Sequence, residues 1–175
     1  MSDFPIHKPS PKDGVKTPDE AVLKIRYSSF ENLYVFKQGR QVRRFEGEEN
    51  RITIEELYLR EMKDAIVVHN HPHGSSFSIE DVQAICSYDA KELILVTMDF
   101  IYQINRPVNG WGIDFSEDKT KRQYEESQAL AEDTAMKAIA RNEISLHEKD
   151  VEIIHYIWIS FFILNDVKYV RKKII

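Results

Sequence analysis

Short apolar runs separated by polar turns dominate the N-terminal part of the chain and predict β-strands. Residues 33–36 (Leu-Tyr-Val-Phe) are aromatic and β-branched, and a Lys-Gln-Gly-Arg turn separates them from a second run at residues 41–45, which predicts a hairpin. Residues 65–68 (Ala-Ile-Val-Val) are continuously apolar, which is typical of a strand buried on both faces. Two more strands are predicted at residues 92–97 and 100–104.

Helix signals alternate with these strands and then dominate the C-terminal part of the chain. Thr17 and Pro18 supply an N-cap and a proline at the first helical position, and Ser78 is the N-cap of a later helix. The predicted helices cover residues 18–27, 53–63, 79–88, 116–142 and 149–164. The sequence therefore predicts an α/β or α+β fold with a helical C-terminal third.

The distribution of prolines and apolar residues indicates how the chain is divided. Three of its six prolines fall in residues 1–16, which hold few apolar side chains, so we expect an extended N-terminal arm. The chain has 175 residues, of which 42% are hydrophobic, enough for one core. We therefore predict a single domain over residues 17–175, with C-terminal helices at about residues 115–165.

Charge, cysteine content and hydropathy exclude several classes of protein. The net charge is −5, so the surface repels a phosphate backbone and we expect no nucleic-acid partner. Cys86 is the one cysteine, which rules out an internal disulfide and a cysteine-based zinc site and fits a reducing compartment. The N-terminal residues lack the apolar stretch of an export signal, and the longest apolar run, residues 153–164, is too short to span a bilayer. We therefore expect a cytoplasmic protein that is not inserted in a membrane.

The most informative segment follows the buried strand and carries two histidines one residue apart. Residues i and i+2 of an extended chain project to the same side, so His69 and His71 can direct imidazole nitrogens toward one point. Pro72 turns the chain, and Ser78 restarts it as a helix whose first turn carries Asp81. A catalytic zinc ion typically takes three protein ligands and leaves one position for water. We therefore predict a Zn²⁺ site held by His69, His71 and Asp81.

Each part of this pattern also has an ordinary structural explanation. Ser78 and Asp81 alone indicate a helix capping box, and isolated histidines often do no more than satisfy hydrogen bonds. The combination of both features after one apolar strand favours a metal site. His73 faces away from the histidine pair if the chain stays extended, so we place it on the loop or on the substrate side.

The segment from His69 to Asp81 resembles the JAMM/MPN (JAB) family of zinc metalloproteases. The family pattern is an upstream glutamate, His-x-His-Pro, a short loop and Ser-x-x-Asp, and the His-Asn-His-Pro-x-Gly form found here is most similar to the RadC-like, phage-associated bacterial branch. The resemblance covers about residues 21–107. It implies a cytidine-deaminase-like mixed sheet flanked by helices, and it leaves the helical C-terminal part unexplained.

The resemblance also implies roles for individual residues. The general base of the family is a glutamate that opens the strand after the first helix, a place that Glu31 occupies here, with Glu55 and Glu56 as alternatives. Ser78 corresponds to the serine that donates a hydrogen bond to the water or to the developing oxyanion.

The implied activity is zinc-dependent hydrolysis of a peptide or isopeptide bond. The implied partner is a protein or peptide substrate, with ubiquitin-like modifiers among the candidates, and a homodimer or an assembly partner is left open. The alternative is a non-catalytic JAB/MPN-like scaffold or assembly module of phage or mobile-element origin. The presence of all three predicted metal ligands argues against that alternative, because inactive members of the family often lack them.

Overall fold

The described strands form one mixed sheet. In the computed structural model, which describes residues 5–175, the strands are β1 (Asn32–Lys37), β2 (Arg40–Glu46), β3 (Ile66–Asn70), β4 (Glu92–Val96), β5 (Phe100–Asn105) and β6 (Tyr169–Lys173). Their order across the six-stranded sheet is β2-β1-β3-β4-β5-β6. Among these strands β3 and β4 are parallel, and all other neighbours are antiparallel. Strands β1 to β5 coincide with the runs that predict strands in the sequence.

Helices lie on the faces of the sheet and make up most of the C-terminal part. They are α1 (Pro18–Ile25), α2 (Glu56–Leu59), α3 (Ile79–Ser87), α4 (Asp118–Ala140) and α5 (Lys149–Leu164), and a 3-10 turn at Arg60–Met62 extends α2. The hydroxyl oxygen of Thr17 accepts the backbone N–H of Glu20 at 3.2 Å, so α1 begins with the predicted cap. Within residues 5–175 no helix has the length and apolar character needed to cross a membrane. The predicted mixed class, a sheet flanked by helices with a helical C-terminal part, is confirmed.

The second helix begins later than its sequence signal predicts. The signal at residues 53–56 predicts a helix from residue 53, whereas α2 begins at Glu56. The N-terminal arm accounts for the difference, because the backbone N–H of His7 donates to the carbonyl of Thr53 at 2.7 Å and His7 forms a parallel bridge with Ile54. Backbone groups that are engaged in this pairing cannot also form the first turn of a helix.

Strand β6 was not predicted from the sequence. Its residues, Tyr-Val-Arg-Lys-Lys, are few and mostly cationic, which is the composition of an exposed edge strand rather than of a buried one. In the structure β6 pairs with β5, and Tyr169 lies opposite Ile104. The chain therefore returns to the sheet after its two long helices and places Tyr169 beside β5.

The two faces of the sheet bury separate apolar layers. One layer includes α1 and contains Tyr34 and Val68, whereas the other contains Val67 and Leu93 together with side chains from α3 and α5. Side chains alternate between the faces along a strand. His69 therefore lies on the same face as Val67, the face that α3 and α5 cover.

Asp13 attaches the N-terminal arm to the first helix and hairpin. Its carboxylate accepts hydrogen bonds from Lys24 Nζ (2.6 Å), Tyr34 Oη (2.6 Å) and Gln41 Nε2 (3.0 Å). Burial alone would raise the pKa of this carboxyl, but the hydrogen bonds from Lys24, Tyr34 and Gln41 outweigh burial and hold the pKa of Asp13 well below its usual range. The first four residues of the predicted arm, residues 1–4, lie outside the described residues.

We expect Asp13→Asn to lower the free energy of unfolding by about 1–3 kcal/mol at pH 7, because the variant replaces charge-assisted hydrogen bonds with weaker ones. A carboxyl group whose pKa is depressed by folding stabilises the protein above its unfolded pKa of about 4, and this contribution is lost as the pH falls. The difference between variant and wild type should therefore shrink progressively below about pH 4, which urea unfolding at pH 7 and at pH 3 would measure. Asp99→Asn, in the exposed turn between β4 and β5, is the control. An equal loss in both variants at pH 7 would contradict the role of Asp13.

Candidate metal centre

The ends of β1 and β3 bring a glutamate and two histidines to one edge of the sheet. Leu33 on β1 faces His69 on β3 in the antiparallel register. Glu31 lies just before β1 and His71 just after β3, so the two residues leave the sheet at the same edge. Glu31, His69 and His71 are 7%, 2% and 8% exposed, and each offers one ligand atom within 4.8 Å of the other two.

Asn70, which lies between the two histidines in the sequence, holds the backbone on both sides of Glu31. Its Oδ1 accepts the backbone N–H of Asn32 at 2.6 Å, and its Nδ2 donates to the carbonyl of Phe30 at 3.0 Å. These two backbone groups flank Glu31, whose own N–H and carbonyl bond to the backbone of residues 47 and 48 at 2.8 Å. The backbone of Glu31 is therefore held on both sides beside the histidines.

A backbone carbonyl fixes the ring of His69. Its Nδ1 lies 2.9 Å from the carbonyl oxygen of Asn32, so Nδ1 carries the proton and donates it. The basic nitrogen is then Nε2, which lies 3.4 Å from Oε2 of Glu31 and 3.8 Å from Oδ1 of Asp81. Metal-binding imidazoles are commonly oriented by such a hydrogen bond from the second ring nitrogen.

The loop after β3 holds the ring of His71 in the same way. Its Nδ1 lies 3.1 Å from the carbonyl oxygens of both Ser75 and Ser76, and its Nε2 lies 3.3 Å from Oδ2 of Asp81. Gly74 has a φ of 88°, which allows the loop to double back onto the ring. The two histidine rings lie 4.9 Å apart and nearly perpendicular, at 84°. Both rings therefore direct Nε2 toward the carboxylate of Asp81.

The start of α3 fixes Asp81. The hydroxyl oxygen of Ser78 accepts the N–H of Asp81 at 3.0 Å, and Oδ2 of Asp81 accepts the N–H of Ser78 at 2.7 Å, which is a reciprocal capping box. The capping box is compatible with the predicted metal site, because the capped carboxylate also approaches His69 and His71.

His71 and Asp81 strongly shift each other's pKa. Burial favours the neutral form of His71, but the adjacent carboxylate of Asp81 outweighs burial and raises the pKa of His71 to about 9. Burial would likewise raise the pKa of Asp81, yet the hydrogen bond with His71 and the charges of both histidines hold it well below its usual range. A proton on His71 balances the charge of Asp81, and a bound cation would supply the same balance while using both Nε2 atoms as ligands.

The separations between the donor atoms fit a small divalent ion. Bonds of about 2.0–2.1 Å at tetrahedral angles place neighbouring ligand atoms about 3.3 Å apart. The distance from His69 Nε2 to Glu31 is 3.4 Å and that from His71 Nε2 to Asp81 is 3.3 Å, while the distance from His69 Nε2 to Asp81 is 3.8 Å. The two imidazoles would be common ligands. Glu31 offers one ligand atom within 4.8 Å of those of both histidines, whereas Asp81 approaches His69 and His71 with different oxygens.

The alternative glutamates for the general base lie elsewhere. Glu55 and Glu56 line a separate surface cavity with Arg60, and Glu56 forms an ion pair with Arg60 at 2.8 Å. Of the three glutamates that the sequence offers for this role, Glu31 is the one beside the histidines.

The four side chains of the site border a cavity of about 590 Å³. Its polar lining includes Ser78 and the exposed His73, whose Nε2 lies 3.8 Å from the carboxylate of Glu49. An apolar part of the lining includes Leu33, Ile52, Ile54, Leu59, Met62 and Ile85. The volume is within the usual range of ligand-binding pockets.

Two buried polar residues that shape the site were not predicted from the sequence. The sequence predicts no role for Asn70 or Ser76, but each is 1% exposed and hydrogen-bonded. The signal for Asn70 is its place at the end of an apolar strand, where a buried amide must bond to neighbouring groups. Ser76 carries no such signal, because its partner Tyr169 is 93 positions away along the chain.

Comparison of the chain with models of known protein families, with curated proteins and with solved structures finds no match. A function for this protein therefore has to be inferred from the chemistry and geometry of the site itself.

We expect the protein, purified without chelator, to bind about one divalent ion per chain, as measured by elemental analysis. His69→Ala and His71→Ala should each abolish binding, because each removes one of the two imidazoles. Asp81→Asn should also lose the ion, whereas Glu31→Gln should keep it, because carboxylate oxygens of Asp81 lie 3.8 Å and 3.3 Å from Nε2 of His69 and of His71, whereas the contact of Glu31 below 4 Å is with His69.

The matched control for these variants is His147→Ala, which changes an exposed histidine between α4 and α5 and should leave metal content unchanged. Loss of the ion from Glu31→Gln but not from Asp81→Asn would exchange the roles of the two carboxylates. A folded wild type that binds no ion would reject the metal site.

Proposed function

We propose that the protein is a JAMM-type zinc metallohydrolase that cleaves a peptide or isopeptide bond. The observation that carries this proposal is the convergence of His69 Nε2 and His71 Nε2 with the carboxylates of Asp81 and Glu31 in one open cavity. The His-x-His-Pro and Ser-x-x-Asp pattern supports it, and a mixed sheet flanked by helices is compatible with the JAMM fold.

Zinc suits the donors that the chain supplies. Two imidazoles and a carboxylate favour a divalent ion of borderline softness. When bound, zinc lowers the pKa of water toward about 7 and polarises a substrate carbonyl. The protein's own contribution is to hold a proton on each Nδ1, which donates it to backbone carbonyls, so that Nε2 of His69 and of His71 is the basic nitrogen of each ring.

Asp81 and Glu31 differ in their contacts with the histidines, and we infer different roles for the two carboxylates from this difference. The two oxygens of Asp81 approach one histidine each, and the capping box with Ser78 restricts rotation of the carboxylate. Glu31 approaches His69 through a single oxygen. We therefore assign Asp81 as the third ligand, in agreement with the JAMM resemblance, and Glu31 as the general base that accepts a proton from the attacking water and delivers it to the leaving amine.

Ser78 acts on the substrate carbonyl. Its hydroxyl oxygen already accepts the N–H of Asp81, so the hydroxyl proton remains for donation. The residue lines the same cavity as the histidines. Its role is to donate a hydrogen bond to the oxyanion that forms when water adds to the carbonyl, an interaction that is strongest in the transition state.

The apolar lining of the cavity indicates the kind of substrate. Ile52, Ile54 and Leu59 line the cavity that contains the site, and each is only partly buried, so a bound ligand can pack against them. Burial of an aliphatic side chain against such a surface contributes about 0.8 kcal/mol per CH₂ group. We infer that the substrate has an aliphatic side chain near the bond that is cut, and the JAMM resemblance favours a peptide or protein, conjugates of ubiquitin-like modifiers included.

Glu31→Gln should keep its zinc and lose at least about 100-fold in kcat, because an amide cannot accept the proton of the attacking water. Ser78→Ala should also keep its zinc and lose about 100-fold, because it lacks the donor to the oxyanion. Zinc content and hydrolysis of peptide and isopeptide panels, measured on the same preparations, test both.

Glu55→Gln is the control, because that glutamate lines a separate cavity. Full activity of the Glu31→Gln protein would reject Glu31 as the base. A zinc-loaded wild type that cleaves no member of the panels would reject the hydrolase and favour the non-catalytic scaffold.

Alkyl hydroxamates, which bind zinc through two oxygens, test the apolar lining without turnover. The zinc-loaded Glu31→Gln protein should bind 4-methylpentanohydroxamate about tenfold more tightly than acetohydroxamate, because the longer chain buries additional CH₂ groups. Isothermal titration calorimetry measures both affinities, and a hydroxamate of similar length that ends in a carboxylate is the control. Equal affinity for all three compounds would remove the aliphatic preference from the proposal.

A further inference from the structure

The C-terminal helix and strand reach the site through the loop that orients His71. Ser76 and Phe77, two adjacent residues of this loop, form hydrogen bonds with β6 and α5, respectively. Oγ of Ser76 lies 3.1 Å from the hydroxyl oxygen of Tyr169 on β6, and the indole N–H of Trp158 on α5 donates to the carbonyl of Phe77 at 2.7 Å. Ser76 is also a residue whose carbonyl accepts the Nδ1 proton of His71, at 3.1 Å.

Tyr169 is itself fixed by two neighbours. Its hydroxyl lies 2.8 Å from Nδ1 of His155 on α5, and β6 holds its backbone opposite Ile104. Burial lowers the pKa of His155 to about 4, so the ring is neutral at pH 7 and one ring nitrogen is an acceptor. Nδ1 can accept the proton of the Tyr169 hydroxyl, whose oxygen then accepts the proton of Ser76.

The connection between Tyr169 and the loop is buried and closely packed. Ser76 and Phe77 are each 1% exposed, and the ring of Phe77 packs against that of Tyr169 at a centroid distance of 6.0 Å. An ion pair between Arg171 and Glu152 at 2.5 Å holds β6 against α5. Displacement of Tyr169 would leave a buried hydroxyl of Ser76 without this partner, which is costly in a buried environment. The loop therefore has one strongly favoured position.

We propose that Tyr169 is a positioning residue for His71: its hydroxyl holds Ser76, and the carbonyl of Ser76 then fixes the orientation of the imidazole. The proposal gives the C-terminal helix and strand, which the JAMM resemblance does not cover, a part in building the site. Its consequence for metal binding rests on the proposed function, whereas the orientation of the ring does not.

The magnitude follows from how far Tyr169 lies from the ligand. Mutation of a residue that directly orients a metal-binding histidine typically lowers metal affinity by about 10–100-fold. Tyr169 acts through one intervening residue, so its removal should weaken metal binding by about fivefold to tenfold.

Three conservative variants separate positioning from general stability. Tyr169→Phe removes one oxygen atom and keeps the packing of the ring, and Ser76→Ala removes the other half of the same hydrogen bond. Tyr124→Phe is the control. Tyr124 packs against Trp158 and Phe161 in the same aromatic cluster, and this substitution likewise removes one hydroxyl group.

The first measurement needs no metal. Proton exchange at Nδ1 of His71, followed by ¹⁵N NMR of the metal-free protein, should accelerate about tenfold in Tyr169→Phe and Ser76→Ala and not in Tyr124→Phe, because loosening the loop opens the hydrogen bond more often. An unchanged exchange rate in both variants would overturn the proposal.

The second measurement is the affinity for zinc, obtained by competition with a chelator, together with the visible absorption of the cobalt-substituted protein. Zinc dissociation constants should rise about fivefold to tenfold in each single variant, with no further increase in the double variant, and the cobalt bands should shift. A lower melting temperature with unchanged affinity and unchanged cobalt bands would show that Tyr169 is merely structural. A wild type that binds neither metal would reject the proposed function, and the exchange measurement would still decide the role of Tyr169.

Discussion

Hydrogen bonds from the Nδ1 atoms of two imidazoles to backbone carbonyls determine the geometry of the candidate metal centre. They make Nε2 the basic nitrogen of His69 and of His71, and they aim both atoms at the same carboxylate. One acceptor is the carbonyl of Asn32 at the start of β1, and the others belong to the loop after β3. A ring without such a partner would rotate and exchange tautomers, and its lone pair would have no fixed direction. The geometry of the site therefore depends on the main chain as much as on the side chains that would touch an ion.

The single parallel pair of described strands explains why the site lies where it does. Parallel neighbours need a crossover connection, and between β3 and β4 that connection consists of the loop and α3. It leaves the sheet at the carboxyl end of β3, the end at which ligands bind in open sheets with parallel strands. The backbone N–H of His71 bonds to the carbonyl of Val96 at 3.1 Å, so the crossover starts close to the end of β4 as well. A topological requirement thus places Ser78 and Asp81 opposite the histidines.

Features encoded by neighbouring residues could be predicted from the sequence. Strands β1 to β5 follow from short apolar runs, and the caps at Thr17 and Ser78 follow from residue types at fixed offsets. Glu31 could be selected only through the resemblance, because spacing along the chain does not say which glutamate the hairpin brings to His69. Strand β6 pairs with β5, and Ser76 contacts Tyr169, only after distant segments of the chain have come together. The residues next to Ser76 and Tyr169 in the sequence carry no signal for either contact. The late start of α2 also results from a contact between distant segments, because the N-terminal arm pairs with the backbone of residues 53 and 54, where the helix was predicted to begin.

The distance along the chain between the histidine loop and its supports has a consequence for biosynthesis. Ser76 and Tyr169 are separated by 93 positions, and Phe77 and Trp158 by 81. A ribosome delivers residues in order, so strands β1 to β4 and both histidines emerge well before α5 and β6 can bond to the loop. Contacts of such high sequence separation form slowly, because the intervening chain must be closed into a loop first. The nascent protein consequently carries the complete His-x-His-Pro and Ser-x-x-Asp motif for a period in which the loop around it is not yet held. We therefore expect the loop around the site to reach its final position late in folding, although its sequence is translated early.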